Sequence, residues 1–517
     1  MSAARPAAAA GPGGPERIVV VGFGPVAARL VEELLPRVAA GDVAVTVLGA
    51  ERHAAYNRVL VADVGTGRTT PAAVALADAA ELEEAGVAVR LGTSAVRIDR
   101  ARRTVATSDG SNAPYDRLVF ATGARPAIPV LRGLDFSPHG EPSLPEGVIA
   151  LRGLDDAAHL LPVVRSGGHV VVLGGGILGV EAVLAIREAG ASATLVHHGD
   201  VPLARSVDPD GGRVLAAALE GAGVGVTPRA KAVAVKLESG RFAGLELDDG
   251  SVVPGDALVI SAGVRPRTGL AEGCGLVVEH GIRVDRFLRA DTEDRVFAIG
   301  DCAAVDGRAP SGLVGPGWTQ AAFLAGYLAR NPLRPFGAGA GAAPGSGSVA
   351  QPGVPAERPG VIVLKARGVD LAAAGAVAVG PWDRGPERVS VWVDPAQGRY
   401  CKMVTVDGAL TGFVAVGMPR TAAELVLLYE RGSELPADRS TLFRLDDAAL
   451  PAAAAPAGEH DVLCRCSGAT HGEVAAAVEA GSATVGDVGR ACRAGTGCGG
   501  CRERIEEILA KSSAVPA

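Results

Sequence analysis

An α/β fold with two dinucleotide-binding units in tandem is what this sequence predicts, followed by a smaller α+β piece and a short cysteine-bearing module. Three observations predict it. A β-branched strand runs into a glycine turn and then a helical stretch twice, first from Arg17 and again from Val170. Each unit is followed by a turn, an apolar strand and a Gly/Pro exit: Ser108-Asp109-Gly110 with Tyr115 to Pro126, then Asp248-Asp249-Gly250 with Gly255 to Pro266. Four of the eight cysteines stand in two close pairs near the end, Cys464 with Cys466 and Cys498 with Cys501.

The totals bound the reading. A chain of 517 residues has room for three or four domains. A net charge of −7 gives no electrostatic footprint for a nucleic-acid partner. The 71 glycines and only 3% aromatics fit glycine-rich cofactor loops in an Ala/Val-rich chain. Met1 to Pro15 is rich in Ala, Pro and Gly but has no apolar core, so it reads as a disordered leader over 1–15 rather than a signal peptide. No run of eighteen apolar residues is free of charges or Gly/Pro breaks, so no membrane span is expected. Cys274, Cys302, Cys401 and Cys492 are scattered, which points to reduced thiols and a cytoplasmic setting.

In the first unit the strand Arg17 to Gly22 enters G-F-G-P-V-A, placing Gly22, Gly24 and Ala27 at the three positions of the dinucleotide fingerprint, with a helix over Val26 to Arg37. The turn leaves helix N–H groups facing the place of a pyrophosphate. A second strand, Val43 to Leu48, ends near Glu51, an acid at the spacing expected for a ribose 2′-OH; an ordinary loop carboxylate is the plainer alternative. Tyr56-Asn57-Arg58 follows in a loop, where Arg58 by itself reads as a solvated charge.

The second unit matches more fully. V-V-V-L-G-G-G-I-L-G-V-E carries Gly174, Gly176 and Gly179 at complete G-x-G-x-x-G spacing, and Glu181 closes the run in the first helical turn. Its second strand, Ala193 to Val196, ends in His197-His198 in place of an acid, which sets His197 at the adenosine ribose or, more plainly, in solvent. Farther on, D-T-E-D-R-V-F-A-I-G-D-C is a strand ending in Gly300-Asp301, with Asp301 at a sheet edge and able to bond a polyol hydroxyl or to cap the next segment.

Asn331 to Pro359 has linker composition, Val361 to Val416 reads as short strands with turns, Thr421 to Tyr429 as an amphipathic helix, and Pro451 to Gly458 as a second linker. Beyond it, Cys464, Cys466, Cys498 and Cys501 supply four thiolates separated by 31 residues between the pairs. The glycines around the second pair let backbone N–H groups approach sulfur, and a helix over Arg502 to Leu509 turns its positive end toward the thiolates. Disulfides are disfavoured because nothing suggests export. Zinc ribbons normally use two C-x2-C knuckles, so residue types favour an iron–sulfur centre and leave structural zinc open.

Several stretches carry a resemblance. C-R-C-S-G-A-T-H-G-E-V and A-G-T-G-C-G-G-C resemble the [2Fe–2S] module of bacterioferritin-associated ferredoxin, over about 461–510. V-T-V-L-G-A-E-R-H-A-A-Y-N-R-V-L is similar to the NADH-dependent assimilatory nitrite reductase large subunit, in which an arginine at the place of Arg58 lies near the flavin. The G-F-G-P-V-A turn, Ala121-Thr122-Gly123, G-G-G-I-L-G-V-E and T-x-x-x-V-F-A-I-G-D follow the order of the FAD- and NAD(P)-dependent reductases. There the last aspartate, here Asp301, binds the ribityl chain, and an acid at the place of Glu181 lies near the nicotinamide.

The resemblance implies a discontinuous FAD-binding domain over 16–147 and 261–330, an NAD(P)H-binding domain over 148–260, a linker over 331–359, an α+β interface-type domain over 360–450, a linker over 451–460 and a [2Fe–2S] domain over 461–510. The expected cofactors are FAD, NADH (with NADPH open) and a [2Fe–2S] cluster. No cysteine precedes Cys274, which argues against disulfide reduction, and the scattered cysteines lack the spacing of a sirohaem-linked cluster. The chain is therefore expected to pass electrons from NAD(P)H to the catalytic subunit of an assimilatory nitrate or nitrite reductase, the module swinging on its tether or docking against that partner. A ferredoxin- or rubredoxin-reductase-like diaphorase and a redox-responsive binding protein are the alternatives.

Overall fold

The computed structural model describes residues 14–136, 142–333, 352–355, 360–366, 368–447, 458–497 and 499–513. Most of the expected leader and of both expected linkers lies outside them, as does Cys498. Two parallel five-stranded sheets organise the body. The first runs in the order Val296–Ala298, Arg117–Phe120, Glu16–Val21, Val43–Leu48, Ala88–Arg90. The second runs Gly225–Thr227, Ser192–Val196, His169–Leu173, Ala257–Ile260, Val148–Ile149. Their central strands are continuous apolar runs because helices and loops cover both faces; Ile18, Val20, Val170 and Val172 are fully buried. One charge interrupts this pattern. Arg117 is completely buried, and Glu16 at 2.5 Å and Asp294 at 3.5 Å compensate its guanidinium.

The repeat read in the sequence is present in three dimensions. Each sheet is followed by an antiparallel three-stranded sheet, over Ala95–Asp99, Thr104–Thr107 and Asn112–Pro114 and over Ala232–Glu238, Arg241–Leu247 and Val252–Pro254. The two Gly/Pro exits then pair with each other, Ala124–Pro126 antiparallel to Val264–Pro266, and tie the units together. The helix Val314–Arg330 closes the first unit by packing on the helix Pro25–Ala39, with Trp318 Nε1 donating to Pro25 O at 3.1 Å.

The third piece is a five-stranded antiparallel sheet in the order Ile362–Ala366, Val369–Gly375, Ala409–Val416, Arg399–Val406, Arg388–Asp394. Asp407 and Gly408, with φ of +49° and +83°, form the two-residue hairpin loop that right-twisted strands favour. The helix Pro419–Arg431 covers one face. The other face shares a core with the second unit, where Leu371, Tyr400 and Val414 pack with Leu184 and Leu215. A buried Asp208, held by Tyr400 Oη at 2.5 Å and Lys402 Nζ at 3.4 Å, pins that contact.

The C-terminal module has its own core of Leu463, Val474, Val488 and Ile505. Its helices His471–Glu479 and Val485–Cys492 each begin with a capping box, Thr470 with Glu473 and Thr484 with Asp487. The helix Arg502–Ser513 starts where the sequence predicts it and runs four residues farther.

Candidate functional site: two glycine turns and a cysteine module on one cleft

The two glycine turns share their geometry. Gly22 N–H donates to Leu48 O and Gly174 N–H to Val196 O, both at 2.8 Å. Gly22 has φ +105° and Gly174 φ +130°, and a Cβ there would stand 2.2 Å from Ala121 O and 2.1 Å from Ser261 O. Only glycine satisfies both the conformation and the approach. A Cβ on Gly179 would lie 1.9 Å from Gly174 O, whereas Ala27 takes the same place in the first unit and is fully buried. These third positions set helix against turn. Gly24 and Gly176 are different. They are N-caps without a side-chain hydrogen bond to the helix, and no atom lies closer than 3.9 Å to a Cβ at Gly24 or within 4 Å at Gly176. Free helix N–H groups below open space form the cradle that a dinucleotide pyrophosphate requires.

A cleft of about 2060 Å³ joins the parts. From the first unit Gly22, Gly24, Glu51, Arg58 and Ala121-Thr122-Gly123 line it. Gly176 and Glu181 enter from the second unit, Gly300 and Asp301 from the returning strand, and Cys464, Cys466 and Cys501 from the module. Gly123, at φ +64°, lets the chain leave the sheet, and Thr122 Oγ1 donates to Arg267 O at 2.8 Å.

Tyr56 is the hub of a polar network in this cleft. Its hydroxyl donates to Glu51 Oε2 at 2.6 Å and accepts from Arg58 Nη1 at 2.9 Å and Leu154 N at 3.3 Å. Arg58 also pairs with the other Glu51 oxygen, donates to Arg152 O at 3.3 Å and lies over the Tyr56 ring, 4.8 Å from its centroid. Burial works to raise the Glu51 carboxyl's pKa, but the Arg58 charge and the Tyr56 hydrogen bond outweigh it and hold the carboxyl below its usual value. Burial works to lower the pKa of Arg58, but Tyr56 and Glu51 more than offset it, so the guanidinium remains firmly charged. Asp301 sits in the short turn Gly300–Cys302 beyond an edge strand and caps no helix. It accepts from Arg152 Nη2 at 2.9 Å.

Arg152 and Tyr56 are the polar residues that the sequence reading missed. Tyr56 adjoined a noted arginine, but Arg152 comes from the opposite unit and gave no local signal.

His197 lies elsewhere. It is buried at 3% exposure, with its Cβ 2.9 Å from the Cβ that Gly175 lacks, and the shared cleft does not reach it. Burial, then His198, lower its pKa, so the imidazole is neutral. Counting from the equivalent residues Leu48 and Val196, the counterpart of Glu51 is Gly199, and His198 is the exposed member of the pair.

In the module, Cys464 is held far below the ordinary thiol pKa by hydrogen bonding, first with Cys466 and then with Cys501. Among the described residues no three metal-ligating side chains close on one point, and the fourth cysteine, Cys498, lies outside them. A Cβ on Gly497 would lie 2.3 Å from Cys466 Cβ and 2.6 Å from its Sγ, so this glycine leaves room for the sulfur. An all-thiolate donor set in a small hydrophobic fold fits an iron–sulfur cluster. Cys492 stands apart, its Sγ against Val488 O at 3.4 Å.

The comparisons agree with this division. Residues 462–511 match the BFD-like [2Fe-2S] binding domain, and residues 16–326 match the pyridine nucleotide-disulphide oxidoreductases. The chain is 28% identical over 500 residues to Nitrite reductase [NAD(P)H] of Bacillus subtilis (strain 168), covering 96% of this chain and 58% of that protein. It is 26% identical over 495 residues to the assimilatory nitrate reductase electron transfer subunit of the same organism, covering 96% and 59%. The chain thus spans somewhat more than half the length of these relatives. Among solved structures, the ferredoxin reductase for the CYP199A2 system from Rhodopseudomonas palustris shares the fold, with a TM-score of 0.65 at 22% identity over 84% of this chain and 98% of that one. With its glycine cradles and 16–326 matched, the chain belongs to the pyridine nucleotide-disulphide oxidoreductases, a family with FAD and NAD(P)H as cofactors, and carries a BFD-like [2Fe–2S] module at its end.

Proposed function

We propose that this chain is an NAD(P)H:acceptor oxidoreductase that draws electrons from NADH through FAD to its [2Fe–2S] cluster and delivers them to a separate assimilatory nitrate or nitrite reductase subunit. One observation carries the reading: both glycine turns and three cluster cysteines open on one cleft. Bound FAD accepts a hydride as an electron pair and yields single electrons, which match a one-electron cluster. In this reading 16–147 with 261–330 holds FAD and 148–260 holds the nicotinamide.

The residues divide the work. Gly22, Gly24 and Ala27 shape the flavin pyrophosphate cradle, and Gly174, Gly176 and Gly179 shape the nicotinamide one. Glu51 and Asp301 present carboxylates to ribose and ribityl hydroxyls; Arg58 holds the Glu51 carboxyl ionised, and Arg152 fixes Asp301 in place. Glu181, the fifth residue of the helix Ile177–Glu188 and so one turn farther in than the sequence suggests, lines the cleft and is assigned to the nicotinamide side. His197 supports the adenosine side from beneath the turn. Cys464, Cys466, Cys498 and Cys501 hold the cluster. The nitrogen-assimilation partner is supported by the two relatives named above. The fold likeness to a ferredoxin reductase supports a diaphorase for another pathway as the second reading, and sustained NADH oxidation separates either from a redox-responsive binding protein.

The test uses the purified chain with NADH. Alone, it reduces neither nitrate nor nitrite; with the catalytic subunit added, turnover appears. Deleting 459–517 removes that turnover while ferricyanide reduction continues. Full delivery by the truncated chain would mean that the flavin feeds the partner directly.

A further inference from the structure

Asn57 is almost wholly buried, at 4% exposure, and has no part in the polar network around Tyr56. Its two ends do different things. Oδ1 accepts from Val59 N at 3.0 Å and caps the short turn Arg58–Leu60. Nδ2 donates across the molecule to Thr496 O at 2.7 Å and Gly497 O at 2.5 Å. Those carbonyls belong to the two residues before Cys498, and Gly497 is the residue packed against Cys466. Both amide protons are therefore spent on the cluster loop. Capping alone would need only an acceptor, and an aspartate would serve.

Other contacts frame this one. Arg493 of the module pairs with Glu32 on the helix after the first glycine turn. Arg465 pairs with Glu430 at 3.5 Å and Asp461 with Arg431 at 3.1 Å on the third piece. Part-exposed pairs orient more than they bind. A buried amide with two acceptors is stricter, because losing it leaves the buried Gly497 carbonyl without its donor. The module is thus seated on the flavin-side unit, with its cluster loop held by the residue next to Arg58.

We propose that Asn57 is a positioning residue for electron transfer within the chain: its side-chain amide seats the cluster loop so that the module takes electrons from this chain's own flavin while docked. The proposal rests on the cofactor order given above. Each transfer moves one electron from reduced flavin to a ferric iron, which becomes ferrous; no bond to the protein forms or breaks, and NADH supplies the electrons.

Asn57→Asp keeps the cap, removes both donors and sets a carboxylate against two carbonyls. In the fully loaded chain it should slow cluster reduction by NADH, followed by stopped-flow absorbance, by about tenfold. Iron content should hold, and ferricyanide reduction should change by less than about twofold. Docking has its own readout. In an Arg493→Lys background, water-soluble carbodiimide should join residues 32 and 493, detected by mass spectrometry, and Asn57→Asp should lower the yield severalfold. Should Asn57→Asp lose iron, Glu32→Arg takes its place as the undocking variant, with Glu32→Arg/Arg493→Glu expected to restore the rate. An unchanged reduction rate, or equal cross-link yields, overturns the proposal. A wild-type chain whose flavin is reduced by NADH while the cluster stays oxidised refutes the electron order itself, and the cross-link would still form.

Discussion

Replacing Gly497 with alanine should empty the cluster site without disturbing the glycine cradles. The added Cβ would stand 2.3 Å from Cys466 Cβ and 2.6 Å from Cys466 Sγ, whereas real Cβ contacts essentially never fall below 3.0 Å. The gap must open by about 0.7 Å, several times the roughly 0.2 Å tolerance of a metal–ligand bond. The clash is with the stem of a ligand, so the flexible end of a side chain cannot absorb it. Backbone strain does not enter, because Gly497 is not in the left-handed region. Overpacking of this kind costs about 1–3 kcal/mol, enough to loosen a module whose core rests on a handful of apolar side chains. Iron and acid-labile sulfide per chain, read beside the visible spectrum, measure it: iron should fall severalfold while flavin per chain stays at the wild-type level. A Gly497→Ala protein with full iron and an unaltered cluster spectrum would refute the steric argument and the placement of Cys466 as a ligand.

Cys466→Ser should abolish the cluster and leave FAD bound, with NADH-dependent ferricyanide reduction largely intact; stoichiometric zinc without iron in anaerobically purified wild-type protein would contradict it. NADH should exceed NADPH in kcat/KM, and a clear NADPH advantage would reverse the assignment. Because His197 is buried neutral and its pKa is lowered, the unfolded chain binds the extra proton, so its contribution to stability is full above pH 6.5 and is lost as the pH falls below that value. His197→Gln should flatten the fall of Tm between about pH 6.5 and 5.

The fold was legible because its signals are local. Strand, glycine turn and helix adjoin in sequence, and the Asp-Gly turns span two residues. The exits were read as two copies of one strand, and the structure adds that the copies pair with each other in Ala124–Pro126 and Val264–Pro266. The site was legible only where one turn contains it. Arg152 meets Asp301 from 149 residues away and Asn57 meets Gly497 from 440, and no spacing rule reaches that far. The expectation of a tethered module that swings or docks came from composition, the Ala/Pro linker, and the seat it takes on this chain depends on Asn57, Glu32 and Glu430, each unremarkable in its own stretch. His197 is the reverse case. Its position after a strand was read correctly, but the missing side chain of Gly175 lets the imidazole turn under the loop, and the counterpart of Glu51 is Gly199.

That asymmetry between two otherwise equivalent units yields the last prediction. Three residues past its second strand the first unit carries Glu51, locked by Tyr56 and Arg58 and flanked across the cleft by Asp301 with Arg152. The second carries Gly199 beside an exposed His198. A carboxylate whose partners are already in place can accept sugar hydroxyls without further ordering, and preorganisation of this kind mainly strengthens binding. The first unit is therefore built to retain its dinucleotide and the second to exchange it. Gel filtration of the loaded protein should leave FAD on the chain and strip the nicotinamide. Glu51→Gln keeps the shape but removes the charge that Arg58 and Tyr56 hold, so FAD retention should weaken by about tenfold or more, while the KM for NADH moves little. If Glu51→Gln raised the KM for NADH and left FAD retention untouched, the assignment of the two cofactors to the two units would have to be exchanged.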